Sequence, residues 1–345
     1  MSFFYGKDDE NKDVNFSSLD VLRWMATIAV INYHVFNAIA HVTNFKITIY
    51  SHVWYDLLAV PLRWHVPIFL MISGALFLNP KKEISYKAVF SKYIKRILLA
   101  LLLFGMVFSS IEYYFETKNV NFDCFLRSFN NVIIGNSWSH LWYLYMIIGI
   151  YLIVPPLKMF INAASTKDIY IFSTIIFLFV CILPSINSLF NYKTGFYIPI
   201  SGVYILYFVL GYFCFYRIRN IMKVKYVSLL LIIGCCAILA GNAIFFWNLP
   251  TSSSSPLICV LTLSIFIFII SIKANNIYLS RGRHLCFGIY LVHMVFINFA
   301  YKFLKIQPFD YFPIISMFVI GTITLLTSLV TTYMLYRIPI MKKIL

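Results

Sequence analysis

The sequence predicts an all-α fold, a polytopic transmembrane helical bundle of about ten helices with both termini in the cytoplasm. Hydrophobic residues make up 61% of the 345 positions and charged residues only 12%, and the mean hydropathy is +0.83. Aromatic residues are abundant, with 34 Phe and 25 Tyr, which suits helix interfaces and the headgroup region. Soluble domains carry about twice this share of charged residues, so the composition indicates a membrane protein.

Ten apolar runs are long enough to cross a bilayer, which takes about 20 residues per helix. Their approximate bounds are 19–42, 53–78, 93–115, 138–160, 167–185, 198–217, 225–248, 256–275, 286–306 and 311–336. The connections are short and the breaks are few, and only helices and closed barrels satisfy the backbone in lipid. The runs therefore predict one compact helical domain.

The connections between the runs predict one membrane domain over residues 1–345. Residues 1–18 form an acidic and polar segment, and no small-residue cleavage site follows the first run. We therefore expect a cytoplasmic N-terminal segment and no cleavable signal peptide. The polar stretch at about 116–137 is expected to be an external loop and is a candidate for a short interfacial helix.

Basic residues set the orientation of the predicted bundle. With the N-terminus inside, about 20 of the Lys and Arg residues fall in inner loops and about six in outer loops, a strong positive-inside bias. The net charge of +16 is spread over these short loops, so no nucleic acid partner is expected. The seven Cys show no metal-ligand spacing apart from one adjacent pair, so we expect no metal site.

The stretch "RWMATIAVINYH", from Arg23 to His34, places two ionisable residues in the first apolar run. Eleven residues at about 100° each make three turns plus about 20°, so both side chains share one helix face about 16 Å apart. Thr27, Asn37 and His41 fall near the same stripe. Ionisable groups in lipid are costly and usually face an interior where they function. The pattern predicts an anion site at Arg23 near the inner surface and a proton acceptor at His34.

Simpler interpretations of these residues stay open. Arg23 could be an anchor at the inner surface, paired with Asp20 at i,i+3. His34 could hydrogen-bond across helices without any chemical role. For His41, near the outer interface, an interpretation without a functional role is favoured.

Four stretches together resemble the acyltransferase-3 family of integral-membrane O-acyltransferases. They are the Arg-x10-His pattern after "SSLDVLR", "VPIFLMISGALFL" (Val66–Leu78), "HLWYLYMIIGIYLIVPPL" (His140–Leu157) and "FGIYLVHMVF" (Phe287–Phe296). They occur in the family's order and cover nearly the whole chain. The likeness is greatest to the compact subgroup without a fused periplasmic hydrolase domain, similar to the enterobacterial common antigen O-acetyltransferase.

The resemblance implies transfer of an acyl group, most often acetyl, from cytosolic acyl-CoA to a hydroxyl of an extracytoplasmic or lipid-linked surface glycan. It implies a multi-pass protein of the bacterial cytoplasmic membrane, in contact with lipids, with acetyl-CoA as donor substrate and no permanently bound cofactor. The family often opens its third helix with Arg-x-x-Arg, where this chain has "SKYIKRILL". Cations that could bind the donor's phosphates are Arg23, Lys92, Lys95 and Arg96, although lysine lacks the bidentate fork of arginine.

Catalytic candidates follow from the same chemistry. A neutral imidazole at His34 can take the proton of the attacking hydroxyl. Ser73, the backbone around Gly74, and Tyr290 are candidate donors to the developing oxyanion, although small residues such as Ser73 and Gly74 also allow close helix packing. His293 shares a helix face with Tyr290 at i,i+3, and it could orient substrate or assist proton transfer.

The acceptor is expected from the outer side. Arg63 and His65 lie just before Pro67, where we expect a kinked helix, and they form one candidate contact. Flat aromatic and amide side chains that suit sugar rings cluster at the start of the fourth run, and the candidates there are His140 and Trp142, with Trp138 and Tyr143 nearby. For Trp138 an interfacial aromatic belt is the favoured interpretation.

A second class of function remains open, a non-catalytic transporter or exporter of a polysaccharide or lipid-linked intermediate. Transporters often carry inverted repeats and paired broken helices at the midplane, and neither is evident in the sequence. The Arg23 and His34 pattern favours the enzyme.

Overall fold

The computed structural model describes residues 16–39, 46, 48–191, 194–196, 202–218, 224–272, 276–309 and 311–345. His41 and the segment 1–15 lie outside the described residues. Within these ranges the regular structure is helical and contains no strand. The predicted all-α class is therefore confirmed.

The described residues contain fifteen longer helices, numbered in chain order. They are α1 (Ser17–Asn37), α2 (Ile49–Leu58), α3 (His65–Phe77), α4 (Lys95–Thr117), α5 (Phe122–Ile133), α6 (Trp142–Ala163), α7 (Thr166–Phe177), α8 (Leu183–Leu189), α9 (Tyr204–Tyr212), α10 (Lys225–Phe245), α11 (Pro256–Ser271), α12 (Ile277–Gly282), α13 (Leu285–Lys302), α14 (Pro313–Leu335) and α15 (Pro339–Ile344). Shorter pieces join them: a single helical turn (Tyr86–Ala88), 3-10 turns at Val60–Leu62 and Ser139–Leu141, and π-helical segments at Val89–Ile94, Leu178–Ile182 and Phe213–Arg217.

Each of the ten predicted runs contains a helix among the described residues. Seven helical segments there are long and apolar enough to span a membrane, namely Ile49–Phe77, Tyr86–Thr117, Ser139–Ala163, Thr166–Leu189, Lys225–Phe245, Leu285–Lys302 and Pro313–Leu335. The sixth and eighth runs correspond to apolar but shorter helices, Tyr204–Arg217 and Pro256–Ser271. The first run is the 21-residue α1. These helices confirm a polytopic membrane protein.

Two local predictions are resolved by the helix bounds. The polar stretch 116–137 contains α5, whose exposed residues include Phe122, Phe125 and Ile133. The second run does not kink at Pro67. Instead α2 ends at Leu58 and α3 begins at His65, so Pro67 lies in the first turn of α3, where the helix does not need its missing N–H.

The chain divides into two compact units. The first unit comprises Met1–Asn79 and Ala163–Leu329, and the second comprises Pro80–Asn162 and Val330–Leu345. In the first unit α3 packs against α9, α1 lies against α3 and α13, and α10 packs on α11. In the second unit α5 and α15 pack on α4. A single membrane domain over 1–345 stays a prediction.

Glycines let α3 and α9 approach at backbone distance. A Cβ added to Gly74 would lie 1.8 Å from the backbone oxygen of Phe208, and one added to Gly211 would lie 2.0 Å from that of Met71. Real Cβ atoms essentially never come within 3.0 Å of such atoms. The packing interpretation of Gly74 is therefore confirmed, and this contact fixes the position of the helix that carries His65.

Candidate functional site

Imidazole and phenol rings from α1, α3 and α13 meet inside the first unit. The ring of His34 lies 5.3 Å from that of His293 and 5.3 Å from that of Tyr33. Tyr33 in turn lies 4.9 Å from His65, between ring centroids. His293 is fully buried and His65 nearly so, whereas His34 is half-buried. We call Tyr33, His34, His65 and His293 the histidine cluster, in which the three histidines predicted from distant motifs come together.

Hydrogen bonds fix which nitrogen carries the proton in two of these rings. The Nδ1 atom of His65 lies 2.7 Å from the carbonyl oxygen of Leu62, and that of His293 lies 2.6 Å from the carbonyl oxygen of Tyr290. A carbonyl oxygen only accepts, so Nδ1 is the donor in both rings. In the neutral rings Nε2 therefore keeps its lone pair and can accept a proton. Tyr290 also packs its ring 6.0 Å from that of His293.

A polar network connects Arg63 to the histidine cluster. The hydroxyls of Tyr33 and Tyr55 both donate to the side-chain oxygen of Asn37, each at 3.2 Å. Arg63 donates from Nη2 to the Tyr55 hydroxyl at 3.0 Å. Its Nη1 donates to the backbone oxygen of Thr251 at 2.7 Å and to the Thr251 hydroxyl at 3.0 Å. Arg63 is therefore connected through Tyr55 and Asn37 to Tyr33, whose ring packs against His65.

Sequence reasoning missed Tyr33, Tyr55 and Thr251. Tyr33 had a usable signal, since it directly precedes His34 in α1. Thr251 had no such signal in the sequence, because 188 positions separate it from Arg63.

The end of the predicted seam that holds Arg23 is an ion-pair triad. Nη1 of Arg23 donates to Asp20 at 2.5 Å, and the other carboxylate oxygen accepts from Arg283 at 3.3 Å. Arg23 and Asp20 are each 1% exposed. The Thr27 hydroxyl donates to the Arg23 carbonyl oxygen at 2.8 Å. The i,i+3 pair is therefore present, and Arg283, which sequence reasoning did not single out, adds a second guanidinium.

The predicted oxyanion donors on α3 lie apart from His65 along the helix. Ser73 is buried and lies about 12 Å from His65 along the helix axis, at roughly 1.5 Å per residue. Its neighbour Gly74 is packed against Phe208 of α9. A role for Ser73 toward an oxyanion stays a prediction.

Basic residues of the second unit surround Tyr93. The ammonium groups of Lys82 and Lys92 each lie 5.6 Å from its ring. Lys95 is exposed, and Nε of the half-buried Arg96 donates to the carbonyl oxygen of Ile344 at 3.0 Å. Lys158, on α6, is 5% exposed and interacts electrostatically with Lys82. Lys82 and Lys158 were not among the predicted site residues.

The predicted sugar-facing residues differ in exposure. His140 is 2% exposed, and its ring lies 5.8 Å from Phe108 and 6.1 Å from Trp138. Those two rings stack on each other at 4.2 Å. Trp142 is 43% exposed. Within the second unit aromatic rings pack against His140, whereas the Trp142 side chain is exposed.

Fold and site together define a multi-pass helical membrane protein with a cluster of imidazoles in its interior. Residues 16–336 match the family model described as an acyltransferase domain. The chain therefore belongs to this acyltransferase family, and it is a membrane acyltransferase. No curated protein and no solved structure gave a significant match.

Proposed function

We propose that the chain transfers an acyl group, most simply acetyl, from cytosolic acyl-CoA to a hydroxyl of an extracytoplasmic or lipid-linked surface glycan. The proposal places the protein in a bacterial cytoplasmic membrane and in the compact subgroup of its family. The observation that carries it is the pair of rings of His34 and His293, 5.3 Å apart, with His34 on the helix that also holds the buried Arg23. This arrangement joins a proton acceptor to an anion site.

In the proposed reaction the acceptor oxygen attacks the thioester carbonyl carbon while His34 takes the hydroxyl proton. The new C–O bond forms, the C–S bond breaks, and the leaving thiolate of CoA recovers the proton from His34. His293 would orient the acceptor or share the proton through its Nε2. Ser73 and Tyr290 are proposed donors to the oxyanion, because such donors act strongly where water is excluded.

The donor is proposed to bind along α1. Its phosphates would lie at Arg23, and the pantetheine arm would cover the roughly 16 Å between Arg23 and His34. A role of Lys92, Lys95 and Arg96 toward phosphate rests on their charge alone and stays a prediction.

The acceptor is proposed to use polar and aromatic groups. Arg63 and His65 flank a network of hydroxyl and amide groups that suits a hydroxyl-rich ligand. In the second unit Trp142 offers an exposed ring, and its role and that of His140 toward a sugar stay predictions.

His34→Gln tests the proposed base. Glutamine keeps the approximate size and hydrogen bonding of the imidazole but cannot act as the base, so transfer should fall by about 10²-fold or more. Activity of the unchanged protein should also decline as the pH falls, because a protonated imidazole cannot accept the hydroxyl proton. The measurement is acyl groups on the surface glycan of cells, with protein level determined in parallel.

His52→Gln is the matched control, since His52 lies on α2 in the same unit with 55% of its side chain exposed. It should leave acylation unchanged. Normal acylation in the His34→Gln strain would contradict the assignment of the base, because a purely interhelical contact contributes only about 0.6 kcal/mol. Glycan that is exported only when His34 is intact, and is never acylated, would favour the transporter.

A further inference from the structure

One carboxylate in the first unit holds two arginines. The Asp20 side chain is 2% exposed and accepts from Arg23 and Arg283, whose side chains are 2% and 22% exposed. The two guanidinium groups bind different oxygens of the same carboxylate. Asp20 therefore brings two positive groups together that would otherwise repel each other, and the triad itself carries one positive charge in excess.

The triad also has an unused donor. The Nε–H of Arg23 is buried and makes no hydrogen bond within the described part of the chain. A buried donor without a partner is unfavourable. An anion with several oxygens would satisfy this donor and balance the excess charge at the same time.

Contacts between α1 and α12 keep Arg283 beside Arg23. The indole Nε1 of Trp24 donates to the carbonyl oxygen of Leu279 at 3.0 Å. A Cβ on Gly282 would lie 3.1 Å from the Trp24 ring, so the backbone passes close to the indole just before Arg283. Trp24, the neighbour of Arg23, thus holds the segment that precedes Arg283 in place.

We propose that Arg23 and Arg283 form a two-arginine site for the phosphate groups of the donor, with Asp20 as the positioning residue. The proposal rests on the proposed acyl-CoA donor and adds Arg283 as a phosphate-binding residue. Guanidinium groups suit this ligand because they bind phosphate oxygens through two parallel N–H donors. A lysine at either position would keep the charge and lose that geometry.

The test measures ligand binding by purified protein in nanodiscs of phosphatidylcholine. The probes are CoA, adenosine 3′,5′-bisphosphate, inorganic pyrophosphate and pantetheine. Arg283→Gln should weaken binding of the phosphate-bearing probes about tenfold to a hundredfold, and Arg283→Lys should weaken it less. Pantetheine binding should not change. Arg281→Gln, which removes the same charge from an exposed position on α12, is the matched control and should bind like wild type.

The Asp20→Asn variant distinguishes a positioning role of Asp20 from a purely structural one. It should raise the KM for the donor while leaving kcat close to wild type, because the arginines lose their shared partner but no reacting group changes. A lower melting temperature with an unchanged KM would show that Asp20 only stabilises the fold, and it would overturn the positioning role.

The remaining outcomes distinguish the site from the proposed function. If wild type binds CoA and Arg283→Gln binds it equally well, the two-arginine site is wrong while the donor stands. If pyrophosphate binding depends on Arg283 but CoA does not bind, the phosphate site stands and the donor is wrong. In nanodiscs that contain both phosphatidylcholine and phosphatidylglycerol, enrichment of phosphatidylglycerol that depends on Arg283, without CoA binding that depends on it, would assign the site to a lipid headgroup and overturn the proposal.

Discussion

Replacing Gly74 by alanine tests the backbone contact that positions α3. The added Cβ would lie 1.8 Å from the Phe208 oxygen, where 3.0 Å is the closest normal approach. The helices would have to separate by roughly 1.2 Å, and a close-packed interior does not yield that distance cheaply. The obstacle is a backbone atom, so no side chain can rotate away.

The expected cost is at or above the upper end of the usual range for overpacking, about 3 kcal/mol. The loss of stability is measured on the purified protein in detergent, as the fraction that stays monodisperse after heating. Transfer activity should fall as well, because His65 begins the helix that is displaced.

Gly234→Ala is the matched control. A Cβ at Gly234 meets nothing within 4 Å, and alanine favours a helix over glycine by up to about 1 kcal/mol. This variant should be as stable as wild type or more stable. If Gly74→Ala has the same melting temperature as Gly234→Ala, the close approach of α3 and α9 is refuted.

Three further predictions concern the roles of single residues and the topology. Arg23→Ala should weaken acyl-CoA binding by up to roughly 3 kcal/mol and raise the KM accordingly, whereas His34→Ala should abolish transfer and retain CoA binding. Normal CoA binding by an Arg23→Ala protein that inserts poorly into the membrane would favour the anchor interpretation. Reporter fusions after Lys82 should be cytoplasmic and those after Lys118 external, and an external signal at Lys82 would reverse the orientation. Arg63→Ala removes three hydrogen bonds and should raise the KM for the acceptor rather than the donor, as measured with each substrate varied in turn.

The fold class could be predicted from the sequence because bilayer thickness sets helix length, and apolar runs report that length directly. Helix ends were harder to predict. The 3-10 turn Val60–Leu62 breaks a continuous apolar run, and hydropathy does not change at such a break. Pro67 was a misleading signal, since proline marks the start of a helix as well as a kink.

The candidate site could be predicted only where its residues lie on one helix or in a known motif. The alignment of Arg23 and His34 follows from helix geometry alone. The contact of Arg283 with Asp20 bridges 263 positions, and no periodicity connects such residues. The burial of Lys158 likewise depends on packing within the second unit, whereas its sequence context is simply the end of an apolar run.

The bonds from Nδ1 of His65 and His293 to nearby backbone carbonyl oxygens limit how these two rings can move a proton. Each ring can gain or lose a proton only at Nε2, so neither can pass a proton in at one nitrogen and out at the other. In the proposed reaction His34 takes the proton from the acceptor and returns it to the CoA sulfur. The acyl group, the hydroxyl and the thiol are all neutral, so no net charge crosses the bilayer during a turnover. A charge moved across the membrane would couple the rate to the potential by about 2.3 kcal/mol per 100 mV, and this chemistry escapes that coupling.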